Sequence, residues 1–100
     1  MNIIETLASE MNIPVKQVEN TVALLDEGNT VPFIARYRKE VTGGLDDTVL
    51  RTLTDKLTYL RSLEQRKAEV RSLIEGQGVM TPEIDAAITQ AVTLTEVDDI

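Results

Sequence analysis

Gly28-Asn29-Thr30-Val31-Pro32-Phe33-Ile34-Ala35-Arg36-Tyr37-Arg38-Lys39-Glu40-Val41-Thr42-Gly43-Gly44-Leu45-Asp46 is the least ordinary stretch of the chain, and the fold turns on it. Asn29 or Thr30 can cap a helix whose first turn holds Pro32, a residue that needs no backbone donor there. Gly43-Gly44 then break that helix, and Asp46 caps the next. A short basic helix is expected between two sharp turns. Phe33 and Tyr37, two of the three aromatics, stand four residues apart and so share one face. Gly28, Pro32, Gly43 and Gly44 are therefore expected to anchor the chain path, and Phe33 and Tyr37 the core. In this reading Phe33 is buried against partners such as Leu25, Leu53 and Leu57.

Working outward, the N-terminal side reads as two amphipathic helices. Asn2 can cap a first one in which Ile3, Ile4, Leu7, Ala8 and Met11 recur at helical spacing. Asn12-Ile13-Pro14 ends it, because a residue before Pro avoids the α region. Val15, Val18, Val22 and Leu25 make the stripe of a second, widened by Ala23 and Leu24 and stopped by Gly28. This helix, the turn at 27–30 and the basic helix have the outline of a helix-turn-helix.

On the C-terminal side, Leu45 and Leu50 flank Asp46 as a hydrophobic staple that launches the longest element, from about 46 to 76. Its stripe of Leu50, Leu53, Leu57 and Leu60 gives way to Leu63, Val70, Leu73 and Ile74 further round the cylinder. Two halves packing on different partners are the expected result. Along it Asp47 with Arg51, Arg51 with Asp55, and Arg71 with Glu75 have ion-pair spacing. Gly76 and Gly78 close this helix, and Thr81-Pro82 opens a short one to about 92 with Ile84, Ala87, Ile88 and Ala91 inward. Thr93 and Glu96 have capping-box spacing and announce a further helix close to Ile100. The fold class is all-α: short helices, including a helix-turn-helix-like pair, packed on one long helix, with a short C-terminal helix.

Composition narrows the function. One hundred residues, 42% hydrophobic, suit a single domain of packed aliphatic helices. No Cys and no His are present, so the commonest metal ligands, general bases and nucleophilic pairs are missing. Asp46-Asp47 and Asp98-Asp99 are adjacent carboxylates, but neighbours on a helix do not face each other and capping explains them. No catalytic residue, metal or cofactor is expected. No apolar run approaches the ~20 residues of a membrane span, and the cytoplasm is the default location.

The net charge of −7 opposes a surface that binds phosphates throughout. Residues 1–35 hold one base against five acids, whereas 36–40 hold three bases against one acid and 81–100 hold five acids with no base. Positive charge therefore peaks at Arg36, Arg38 and Lys39, the candidate nucleic-acid-binding residues. They stand on phosphates or bases if residues 31–40 form a recognition helix. Alternatively, Phe33, Ile34 and Tyr37 hold a corner of the core and the bases are solvated or paired with acids.

Thr30 to Glu40 followed by Thr42 to Asp46, with Thr21 to Asp26 before and Tyr59-Leu60-Arg61 after, resembles the N-terminal region of the bacterial Tex family of transcription accessory proteins. The resemblance covers residues 1–100 and implies a longer protein, continuing into an inactive nuclease-like domain, helix-hairpin-helix units and an S1 RNA-binding domain. It implies nucleic-acid binding, to RNA or DNA, in transcription for the full-length protein. Other domains of the same chain and the transcription machinery are the further implied partners. A scaffold module without nucleic-acid contact is the competing reading.

Overall fold

A computed structural model describes residues 1–100 as seven α-helices without strands. They are α1 (Ile3–Met11), α2 (Val15–Asp26), α3 (Val31–Tyr37), α4 (Lys39–Thr42), α5 (Asp47–Gly76), α6 (Pro82–Gln90) and α7 (Leu94–Asp98). The fold is all-α. Contacts divide the chain into two compact units, residues 2–58 and residues 59–100 with Met1, and α5 contributes to both.

Five of the seven helix starts follow side-chain capping; α2 and α4 do not. Side-chain oxygens of Asn2, Thr30, Asp46, Thr81 and Thr93 each accept a bond from the backbone N–H three residues on, at 2.9–3.3 Å. Each satisfies a donor that has no partner inside its helix. Glu96 Oε2 also accepts from Val92 N at 3.0 Å, so the end of the chain is tied back on itself. α1 stops differently from expectation. Asn12 itself takes the left-handed conformation (φ 54°, ψ 47°), and the following N–H of Ile13 returns to Ala8 O at 3.0 Å.

In the unit of residues 2–58 the core is aliphatic. Leu7, Val18, Ile34, Leu50 and Leu53 lose all solvent exposure, joined by Val22, Leu24 and Leu57. Leu24, Ile34 and Leu50 form one cluster, with Leu25, Val31, Ala35, Val41 and Leu45 packed around it. The staple of Leu45 and Leu50 is thus in place. The phase of α2 is shifted from the expected one: Val15 and Ala23 are exposed, and Thr21 is buried with its hydroxyl donating to Gln17 O at 2.7 Å.

In the unit of residues 59–100 the fully enclosed apolar side chains are Leu63, Ile88 and Val97. The two halves of α5 do fall in different units, but the stripe does not turn round the cylinder as expected. Buried positions continue through Leu60, Leu63, Lys67 and Val70, because Lys67, only 2% exposed, fills the place of an apolar residue. Its four-carbon stem lies in the core while Nζ donates to Thr89 O at 3.1 Å, in the last turn of α6, and stands 3.6 Å from Glu64 Oε1. Leu73 is 60% exposed, and Ala87 points outward. Arg71 pairs with Asp85 of α6 at 3.0 Å rather than with Glu75, and also donates to the Thr89 hydroxyl. Arg66 meets Asp98 of α7 at 2.8 Å and Glu69 at 3.1 Å. Those hydrogen bonds, that to Asp98 first, hold its guanidinium above the ordinary arginine value.

Candidate nucleic-acid interface

The basic stretch is two helices instead of one. α3 ends at Tyr37, and Arg38 (φ −130°, ψ 30°) closes α3 and opens α4. No Gly or Pro marks this break. Tertiary bonds from α2 fix α4 in place: Asn20 Nδ2 donates to Val41 O at 3.3 Å and Gln17 Nε2 to Thr42 O at 3.2 Å. These satisfy carbonyls that a helix C-terminus leaves open, and they set α4 on its own axis. Arg38 Nη1 donates to Tyr37 O at 2.9 Å, capping the end of α3 in the same way.

Gly43 is required twice over. It stands at φ 78°, a conformation that side chains rarely adopt, and a Cβ there would lie 1.6 Å from Gln17 Nε2. Any side chain at this position would break the Gln17 bond to Thr42. Gly28 (φ 94°) and Gly44 (φ 89°) also hold left-handed turns, with open space around them. Pro32 occupies the first turn of α3 and is exposed.

The side chain that α3 buries is Ile34, with no exposure at all. This corrects the expectation for the aromatics: Phe33 is only half-buried and Tyr37 is 53% exposed. A seven-residue helix can bury one narrow stripe, and the cluster of Leu24 and Leu50 takes up Ile34. Phe33 and Tyr37 do meet each other, centroid to centroid at 5.3 Å with the rings tilted by 47°. The guanidinium carbon of Arg38 lies 4.9 Å from the Phe33 centroid, and that of Arg36 lies 5.4 Å from the Tyr37 centroid. Both distances are within cation–π range.

Arg36, Arg38 and Lys39 thus gather at the α3–α4 corner, and none of them pairs with a carboxylate. Arg36 and Lys39 are exposed and Arg38 is half-buried. Sequence spacing placed the three bases close together but did not reveal that each arginine rests on a ring. No cluster of three Asp or Glu residues could hold a metal ion. No helix is long and apolar enough to cross a membrane.

Residues 1–75 match the family described as the Tex-like protein N-terminal domain. The chain belongs to the Tex family. It is 50% identical over 100 residues to the transcriptional accessory protein Tex of Neisseria gonorrhoeae, covering 100% of this chain and 13% of that protein. It is 51% identical over 98 residues to the protein tex of Bordetella pertussis, covering 98% of this chain and 12% of that one. At 28% identity over 99 residues it also matches the human S1 RNA-binding domain-containing protein 1, covering 99% of this chain and 10% of the other. The chain spans about an eighth of the length of its bacterial Tex relatives.

Proposed function

We propose that this Tex-family domain performs no chemistry of its own and adds to nucleic-acid binding by a cytoplasmic transcription accessory protein through Arg36, Arg38 and Lys39. The observation that carries this reading is that none of these bases forms an ion pair, although Glu40 follows them directly. In a chain of net charge −7, three cations share one corner with no carboxylate partner, so their charge is available to phosphates. The lack of His and Cys, and of any metal-holding acid cluster, supports a non-enzymatic role.

A salt titration of the 100-residue chain with RNA and DNA tests it. Affinity should fall as salt rises. Replacing Arg36, Arg38 and Lys39 together by Ala should weaken binding uniformly across sequences and flatten the salt slope by roughly two to three, one phosphate being worth about 0.7–0.9 of slope. No binding at low salt would overturn the proposal. That result would favour a docking module for other domains or transcription factors, a reading supported by Leu73, 60% exposed beside Arg66, Ala68, Glu69 and Ser72 in a shallow groove.

A further inference from the structure

We infer that the α3–α4 corner is a stacking site for unpaired bases, centred on Tyr37, and that it therefore takes single-stranded nucleic acid in preference to duplex. This rests on the nucleic-acid reading of the corner and adds the form of ligand it selects. Four flat groups follow one another: Arg36 over Tyr37 (5.4 Å to the centroid), Tyr37 tilted against Phe33 (5.3 Å between centroids), and Arg38 over Phe33 (4.9 Å to the centroid). Such rings and guanidinium planes are the surfaces on which bases stack whatever their identity. Within this row Tyr37 is the ring that offers area. It remains 53% exposed with Arg36 and Phe33 already in place, whereas Phe33 is half-buried and has Arg38 over it.

The backbone favours the same ligand. A helix reading a major groove presents successive turns to base edges, but α3 has seven residues and the chain changes direction at Arg38. What the corner offers is a compact aromatic tip ringed by cations. A duplex hides the faces of its bases and can meet only the cations. A single strand can place a base on Tyr37 while its phosphates reach Arg36, Arg38 and Lys39. An acidic peptide could satisfy the cations but has no flat group for the ring.

The sequence supplies a probe of its own. There is no Trp and there are only two Tyr, so in a Tyr59→Phe chain all tyrosine emission arises from Tyr37. Tyr59 is exposed, which makes that replacement mild. Titrating this chain with an unstructured decanucleotide, a hairpin of equal phosphate number and polyglutamate should quench Tyr37 emission with the single strand alone. Tyr37→Leu should weaken single-strand binding about tenfold, leave duplex binding and the salt slope unchanged, and be rescued by Tyr37→Phe, which keeps the ring. Emission unchanged at saturating single strand, or equal losses on single strand and hairpin, would overturn the stacking site while leaving the phosphate contacts standing. Quenching by polyglutamate alone would overturn it in favour of an acidic peptide. Absence of salt-dependent binding to either nucleic acid would remove the underlying reading as well.

Discussion

The bases of the α3–α4 corner and those of the unit of residues 59–100 have opposite fates. In the latter, Arg66 and Arg71 tie α5 to α7 and α6, and Lys67 is buried in the core with its ammonium on the last turn of α6. In the corner, Arg36, Arg38 and Lys39 meet rings, a backbone carbonyl or solvent, and no acid. One chain thus uses cations for packing in one region and leaves them available in another. Local net charge, three bases against one acid over residues 36–40 and zero over 41–80, points to the same division, and the partners give its cause.

Three measurements would break or sharpen the contrast. The largest effect belongs to the residue beneath the corner. Ile34→Ala should cost about 2–5 kcal/mol and bring the isolated chain close to unfolding, since a domain is held by only ~5–15 kcal/mol. Phe33→Ala, at a half-buried site, should cost less, and thermal melts followed by circular dichroism would rank the two. The reverse order would restore Phe33 as the anchor of α3.

Lys67 comes next. Lys67→Ala leaves a cavity and an orphaned Thr89 carbonyl, for a loss of about 2–5 kcal/mol, whereas Lys67→Met keeps the volume and orphans the same carbonyl, for about 1–3 kcal/mol. Urea unfolding should place the Met chain between the parent and the Ala chain. A large loss in the Met chain would show that the charge itself holds α6. The smallest effect is expected from replacing Arg36, Arg38 and Lys39 together by Ala, about 1 kcal/mol of stability from two exposed cation–π contacts, with helical circular dichroism unchanged. Collapse of the helical signal would mean that these bases, too, are structural.

What could be read in the sequence was whatever rests on neighbours three or four positions apart. The caps at Asn2, Thr30, Asp46, Thr81 and Thr93, the staple of Leu45 and Leu50, and the span of α5 all depend on local chemistry. The break at Arg38 carries no such local signal, and the helix that follows it is held by Gln17 and Asn20 from about twenty residues away. Lys67 escaped notice because polarity patterns count lysine as solvent-facing, while its burial depends on a carbonyl twenty-two residues later. Size is no measure of burial at Phe33, because in so short a helix the phase of the buried stripe is set by what lies opposite. The candidate site was legible as three bases and two rings, but their stacking order needs side-chain directions that spacing does not give.

The grip of Gln17 and Asn20 on α4, enforced by the lack of any side chain at Gly43, also has a kinetic meaning. A surface whose backbone is already clamped has little left to order when a ligand arrives. Association at the corner should then be limited by encounter and steering rather than by rearrangement, so that changes in affinity among variants of Arg36, Tyr37 and Arg38 fall mainly on the dissociation rate. Loosening the clamp with Gln17→Ala, while leaving every ligand-facing side chain intact, would move that cost into the association step.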